Sequence, residues 1–435
     1  MTNNKGVYMS LQPPRGTRDF MPYDMVRRQY IFSTVKRVFE SFGFNPIETP
    51  AFESWDILSK KGAAGDDVKD EIYYFKDKSD RELGLRFDLT APMSRVVAAN
   101  PQLPKPFKRY QIGRVWRYDR PQAGRFREFW QADVDIVGSE KMDADVECIA
   151  AAVRALEALG FRNFMIRLNN RKILNSIIKK IGIEERKVPD VFRSLDKLEK
   201  IGEEDVIKEL KSKGVSDSEC KSLMRAIKLK GSATEMLKKG NEIYKSSGFG
   251  ELEEMVKLSK KYDIDKYIVI DFSLVRGLDY YTGPIFEVFV KEFASLGSIT
   301  AGGRYDNLIK TYGGRDTPAV GISLGIERIY EIMESKKMFD LPACTTQVFV
   351  AAVSDDVRKN VIQIAEKLRR GGLNVEIDLN KRNFKKQLEY ADALGINYVL
   401  IVGAQELKSK SFPLKDMKTR KQVSMGLESV VKKLT

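Results

Sequence analysis

The sequence predicts an α+β fold, in which β-rich stretches flank a helical, lysine-rich segment and a small α/β unit closes the chain. Three observations carry that prediction. Arg109–Trp116 and Gln131–Val137 read as strands joined by a loop rich in Arg, Gln and Gly, the pattern of a hairpin with a charged tip. Residues 171–262 change to helical spacing, with few aromatics and several Gly or Ser breaks. After Leu341-Pro342 the order becomes strand, helix, strand, helix, strand, which is the spacing of a parallel α/β unit. A chain of 435 residues is too long for one ordinary core, so two or three domains are expected.

Taken in order, residues 1–14 read as flexible, and Tyr23 to Phe42 as an amphipathic helix with Gly43 as its stop. Phe44 to Phe52 alternates like a strand but is broken by Pro46 and Pro50, which places it at an edge or boundary. Such a helix and edge strand suit a subunit interface or packing within one chain equally well. Gly84 to Thr90 alternates again and leads into Ala91-Pro92, and Asp143 to Leu159 is a helix stopped by Gly160. The β pattern resumes over Tyr267 to Phe272 and Ile285 to Val290, up to a helix beginning near Gly325. In the last unit Val348–Val353, Val375–Leu379 and Tyr398–Val402 are the strands, with helices over Val357–Arg370 and Phe384–Leu394.

Composition narrows the chemistry. The chain contains no histidine, which removes the commonest general base, the commonest metal ligand and every Ser-His or Cys-His mechanism. Cys148, Cys220 and Cys344 are scattered without metal spacing, as suits a reducing cytosol. No apolar run reaches the roughly 20 residues of a membrane span, and Met1–Ser10 lacks the apolar core of a signal peptide. The net charge of +14 is unevenly spread: residues 171–262 carry +6 and residues 345–435 carry +7, leaving +1 for the rest. A near-neutral core with two basic appendages fits a small-molecule site flanked by surfaces for a long polyanion, although solvated surface lysines would give the same balance.

Three stretches hold side chains suited to a site. In Leu274 to Gly283 a lone cation, Arg276, precedes the adjacent tyrosines Tyr280 and Tyr281, between two β-type runs. On the hairpin's return strand Gln131, Asp133 and Asp135 alternate and so share one face, two acids and an amide able to hold an ammonium or a polar ring. The loop arginines, Arg117, Arg120, Arg125 and Arg127, suit phosphate by planar bidentate contact, and fit an ordinary exposed hairpin as well. Over Gly321 to Arg328 small residues allow a strand to approach a ligand closely before a helix begins; tight strand–helix packing is the other reading.

These residues reach a family. Arg117-Tyr118-Asp119 with Arg125 to Phe129 resembles motif 2 of the class II aminoacyl-tRNA synthetases, Gly321 to Arg328 resembles motif 3, and the Pro50 region motif 1. Leu274 to Tyr281 looks like the signature peculiar to the histidyl-tRNA synthetase family, and Ala301 to Asp306 is similar to its glycine-rich strand turn. The resemblance runs over nearly the whole chain. It implies a class II antiparallel sheet with flanking helices in residues 1–170 and 263–340, a helical insertion domain in 171–262, and a C-terminal α/β anticodon-binding domain in 345–435.

The resemblance also implies roles. Asp88 and Thr90, with Gln131, would hold the substrate's α-ammonium. Asp135 and Tyr281 would bind the two imidazole nitrogens, with Tyr280 and Leu89 completing the pocket. Arg117 would grip the α-phosphate of ATP, Arg125 and Arg328 the terminal phosphates, while Phe129 stacks on adenine and Asp119 contacts its edge. Arg276 would lie near both the substrate carboxylate and the α-phosphate, so that Arg276 and Arg117 are the catalytic pair. Tyr118 and Trp130 stand where bacterial members commonly have histidine. Asp88 stands where many of them have glutamate, and so resembles the archaeal and eukaryotic branch.

The implied reaction is a histidine–tRNA ligation: L-histidine and ATP form histidyl-adenylate and pyrophosphate, and the histidyl group passes to the 3′ end of tRNA(His), releasing AMP. Mg²⁺ accompanies the ATP, and no residue of the chain is assigned as a metal ligand. A cytoplasmic homodimer without membrane attachment is implied as well. This chemistry suits a chain without histidine, because an ionised carboxylate needs alignment and cations rather than a general base. Two alternatives share much of the pattern: a regulatory synthetase-like paralogue of histidine biosynthesis, and a class II synthetase for another amino acid. The first typically lacks the C-terminal domain and the second has no need of Leu274 to Gly283. A synthetase translatable without its own product could also still be made when histidyl-tRNA is scarce; codon bias explains the missing histidine equally well.

Overall fold

The computed structural model describes residues 11–60, 70–118, 126–229, 231–275 and 280–435. The chain divides into two units, one of Met1–Arg18 with Ile31–Lys336 and one of Asp19–Tyr30 with Lys337–Thr435. In the first, short strands β1 (Asn45–Pro46), β2 (Phe52–Ser54), β3 (Tyr74–Lys76) and β4 (Glu82–Leu85) precede the long pair β5 (Phe107–Trp116) and β6 (Glu128–Val137). β7 (Phe164–Asn170), β8 (Ile268–Ile270), β9 (Pro284–Val290), β10 (Thr300–Arg304) and β11 (Ala319–Gly325) follow.

Eight of these form one sheet in the order β1-β5-β6-β11-β10-β9-β7-β8. Every neighbouring pair from β5 to β7 is antiparallel, and only the two edge strands, β1 and β8, lie parallel to their neighbours. The predicted strand over Phe44 to Phe52 is thus two short ones. Pro46 ends its pairing with β5 at the sheet edge, as a residue without an N–H should. β2, β4 and β3 make a separate three-stranded sheet. The strand read into Gly84 to Thr90 stops at Leu85, and Thr90 already opens a helix, Thr90–Ala99.

Register decides which side chains share a face. Arg109, Gln111 and Gly113 of β5 stand opposite Asp135, Asp133 and Gln131 of β6, which in turn face Gly321, Ser323 and Gly325 of β11. Beneath the sheet, the helix Met142–Ala158 packs on β11 and against the helix Ser247–Lys261, and it is buried on several sides at small residues, Ala150, Ala151, Ala152 and Ala155 among them. Small side chains let that helix lie close to the strands. Phe286, Val288, Ile136 and Leu168 complete this core, and each buried side chain of that size stabilises by about 1.5–3 kcal/mol over an exposed one.

Between the parallel neighbours β7 and β8 lies a series of separate helices, the first Arg171–Ile181 and the last α-helix Ser247–Lys261. The serines that interrupt the periodicity in sequence are caps. Ser216 and Ser232 each accept from the backbone N–H of a glutamate three residues on, whose carboxylate returns a bond, and Gly182 ends the first helix at φ 95°.

The second unit carries β12 (Val348–Ala352), β13 (Val375–Ile377), β14 (Tyr398–Val402), β15 (Phe412–Asp416) and β16 (Gln422–Met425) in the order β13-β12-β14-β15-β16. The first three are parallel, as the βαβ spacing predicts, and the last two antiparallel. Helices Arg358–Arg370 and Leu427–Leu434 cover one face and Phe384–Ala393 the other. β15, β16 and the final helix have no counterpart in the sequence reading. Phe412 and Leu414 do alternate inward, but Pro413 between them looks like a breaker; it is tolerated because its partner is Ser424 on β16, beyond the last β14 pair.

Candidate active site

A small open cleft lies against the β6–β11–β10 face. Gln131, Asp133 and Asp135 all line it, so the alternation read from sequence does put them on one face. Asp88 and Thr90 enter from the start of the helix Thr90–Ala99, Arg117 from the end of β5, and Tyr280 and Tyr281 from the segment ahead of β9.

The floor is electrostatically unusual. Asp135 is almost fully buried, with the guanidinium of Arg109, wholly buried, 2.5 Å from its Oδ2, and the Tyr305 hydroxyl donating to its Oδ1. Burial raises its pKa above the usual carboxylate range, and the charge of Arg109 and the bond from Tyr305 oppose that rise. Burial lifts Asp133 to about 7, helped by the neighbouring charges of Asp135 and Asp88 and opposed by Arg109. Asp88 is raised by burial as well, against the backbone N–H of Ala91, which donates to its Oδ1 at 2.9 Å, and the charge of Arg117.

Besides Asp135 Oδ2, which Arg109 meets as an ion pair, two buried acceptors on cleft-lining residues lack a hydrogen-bond donor among the described residues. Gln131 donates to Ser323 Oγ at 2.9 Å, which fixes its amide and leaves Oε1 without a partner among the described residues. Asp133 Oδ1 is likewise unpartnered there. A row of acceptors in a buried setting is made for a cation bearing several N–H donors.

Glycines clear the space for these groups. A Cβ on Gly321 would overlap Asp135 Oδ1, one on Gly302 would overlap the Gly321 carbonyl, and one on Gly303 would run into the Tyr281 ring. At the wall, Arg117 donates from Nε to the Phe87 carbonyl at 3.0 Å, and its guanidinium stands 5.3 Å from the Phe129 ring centre. Glu327, at the start of the helix Ile326–Ser335, accepts from Trp130 N at 2.9 Å and so ties that helix to β6.

With a cation at the wall, a fixed carboxylate on the floor and free acceptors between, the cleft can bind a zwitterion with a polar ring beside an anionic group. Residues 16–329 match the profile of the histidyl-tRNA synthetase family, and residues 347–435 that of an anticodon-binding domain. The chain belongs to the histidyl-tRNA synthetase family. A histidine–tRNA ligase of Aeropyrum pernix is 42% identical over 429 residues, covering 97% of both chains. One of Thermococcus kodakarensis is 36% identical with 98% of both covered. The crystal structure of a histidyl-tRNA synthetase from a Nostoc species superposes with a TM-score of 0.86 at 32% identity, covering 98% of this chain and 99% of that one. The resemblance carried by the signature and motifs 2 and 3 is therefore one of family.

Against the residues that the family resemblance implies, the cleft brings together Asp88, Thr90, Arg117, Gln131, Asp135, Tyr280 and Tyr281. Leu89 is buried behind it, with its carbonyl 3.5 Å from Arg109 Nη2. Phe129 stands next to Arg117 and does not itself line the cleft. Arg328 does not line it either: its guanidinium donates to the Ser298 carbonyl. Asp119, Arg125 and Arg276 lie outside the described residues. Sequence reasoning assigned no role to Arg109, Tyr305 or Ser323. The predicted hairpin held a signal for the first, since aligning its two strands sets Arg109 across from Asp135. Among the described residues no three His, Cys, Asp or Glu side chains gather as metal ligands, and no helix is long and apolar enough to cross a membrane.

Proposed function

We propose that this chain activates L-histidine with ATP and transfers the histidyl group to tRNA(His). The observation that carries this reading is a buried carboxylate, Asp135, held between Arg109 and Tyr305 at the floor of a cleft whose wall bears Arg117. Asp135 and Tyr281 take the two ring nitrogens. Gln131 Oε1 accepts from the α-ammonium together with Asp88 and Thr90, and Tyr280 and Leu89 close the pocket. A site that pairs both nitrogens of a polar ring rejects analogues lacking them by about 10⁴–10⁵, so no editing step is needed.

The substrate carboxylate then attacks the α-phosphorus of ATP. The new bond joins carboxylate oxygen to phosphorus, and the bond to the bridging oxygen breaks, releasing pyrophosphate. The chain supplies alignment and positive charge: Arg117 at the α-phosphate, Arg276 near both the substrate carboxylate and the α-phosphate, Arg125 and Arg328 at the terminal phosphates, and Phe129 and Asp119 at the adenine. Mg²⁺ arriving with the ATP would supply further positive charge for the leaving pyrophosphate, and no residue of the chain is assigned to hold it. In the second step the terminal hydroxyl of the tRNA attacks the carbonyl carbon of the mixed anhydride, the bond from that carbon to the phosphate oxygen breaks, and AMP leaves with the hydroxyl proton on its phosphate.

Residues 1–170 and 263–340 are the catalytic part in this reading, with 171–262 embracing the acceptor arm and 345–435 reading anticodon bases. Both appendages are basic, as polyanion contacts require. The working form is a cytoplasmic homodimer. Amino-acid-dependent pyrophosphate exchange tests the assignment: exchange with histidine alone is the expected result. Exchange with a different amino acid, or with none, would overturn it.

A further inference from the structure

Arg109 contributes nothing to the cleft surface, yet it is the cation nearest the residue that meets the substrate ring. It is wholly buried on β5, directly across from Asp135, with Nη2 on Asp135 Oδ2 and with Nε and Nη1 unpartnered among the described residues. A buried guanidinium so incompletely satisfied is costly, and a structural pair would be expected to use its other donors. We propose that Arg109 is a positioning residue that fixes the charge state of the ring the cleft accepts, admitting neutral imidazole and excluding imidazolium. The proposal rests on the assignment of Asp135 to the ring.

The argument is one of charge balance around Asp135. Facing it are Arg109 from β5, Tyr305 after β10, Tyr280 and Tyr281 before β9, Asp133 on its own strand, Asp88 ahead of the helix Thr90–Ala99 and Arg117 at the wall, while Cys148, on the helix beneath the sheet, is close enough to feel its charge. Asp135 is already matched by Arg109, so a ring N–H can donate to it but a second full positive charge finds no uncompensated partner. The negative charge of Asp88 is met by the α-ammonium. Asp133, held up to about 7 by burial, gives up its charge in the same acid range where a free histidine ring gains one. A protonated ring would therefore bring its charge into a floor with no net charge left to receive it, where desolvation is not repaid.

Remove the arginine and the balance reverses. With methionine at position 109, Asp135 would be a buried, unmatched carboxylate, and imidazolium its natural counter-ion. Lysine there would restore the positive charge.

The test is calorimetric binding of L-histidine to the full-length protein between pH 7.5 and 5.5. The reference ligand is a triazole analogue of histidine, whose ring stays neutral over that range. Taking the ratio of the two dissociation constants cancels the titration of Asp133 and any loss of fold common to both ligands. For the natural protein the ratio should rise about tenfold per pH unit below about 6.5, the pKa of the free ring. Arg109→Lys should keep that rise, and Arg109→Met should flatten or invert it. A flat ratio in the natural protein overturns the proposal outright, whether or not Arg109→Met folds. An Arg109→Met protein that folds and keeps the full acid rise overturns it too. If neither ligand binds at pH 7.5, the ring assignment itself fails, and this inference with it.

Discussion

At the cleft floor Arg109 and Asp135 meet with almost no exposure, while in the helical segment Lys213 reaches Glu209 at 2.8 Å with side chains 26% and 21% exposed. Glu209 also takes Lys197 at 2.9 Å, and these hydrogen bonds lower its carboxyl to about 2. The same two charge types have opposite effects on their acids: in the helices the partners push the carboxylate down, and on the floor burial pushes it up. Solvent screens the first pair, so it can be broken or rebuilt at little cost. The second pair is fixed, because neither partner can fall back on water. On the proposed function, a segment that meets a flexible polyanion tolerates the first arrangement, and a site that distinguishes one ring from another needs the second.

The largest effect should come from a second buried pair of the same kind. Arg304 donates to Asp145 and to the carbonyls of Ser139 and Lys141, and burial raises Asp145 to about 6 even so. Arg304→Met strands that carboxylate, and denaturant unfolding should show a loss of about 3–5 kcal/mol. Next, Gly321→Ala places a methyl group where Asp135 Oδ1 now sits. Histidine-dependent pyrophosphate exchange should fall about 100-fold in kcat/KM, since displacing a positioned group by about 1 Å costs that much, and denaturant unfolding should show a further loss of about 1–3 kcal/mol from overpacking the buried pair.

Asp133→Asn sharpens the contrast through pH. The folded-state pKa of Asp133, about 7, lies above the usual carboxylate value, so the folded chain holds this proton more tightly than the unfolded one. Its contribution to stability therefore declines as pH rises from about 4 to 7. Asparagine removes that decline, less the cost of burying an amide in its place. Melting followed across this range should show the variant about 2 kcal/mol less stable than the natural protein at pH 4, where only the amide's burial counts, and about 2 kcal/mol more stable at pH 8. The smallest effect belongs to the helices: Glu209→Gln should change stability by less than about 1 kcal/mol, and by less still in high salt.

How much of this was legible depends on distance along the chain. The alternation of Gln131, Asp133 and Asp135 is local and correctly puts three groups on one face. The small residues of Gly321 to Gly325 announce a close approach, and the structure supplies its object, the Asp135 carboxylate. Arg109 was legible only through the hairpin, once its two strands are aligned, and Tyr305 was not legible at all, because it reaches Asp135 from a turn 170 residues away that leaves no local trace. Arg328 stood out in sequence by its place after Gly325, but where a long side chain points from a helix is decided by neighbours such as the Ser298 carbonyl. The prolines misled in both directions. Pro46 does mark a sheet edge, and Pro413 sits inside a strand that its presence hid.

A crystal structure with L-histidine bound tests the central claim most directly. The account expects a ring N–H donated to Asp135, with Tyr281 at the other nitrogen and Arg109 still closing the carboxylate from behind. A histidine seated with its ring turned toward Arg117, or an Asp135 swung away from Arg109 to meet it, would contradict that account.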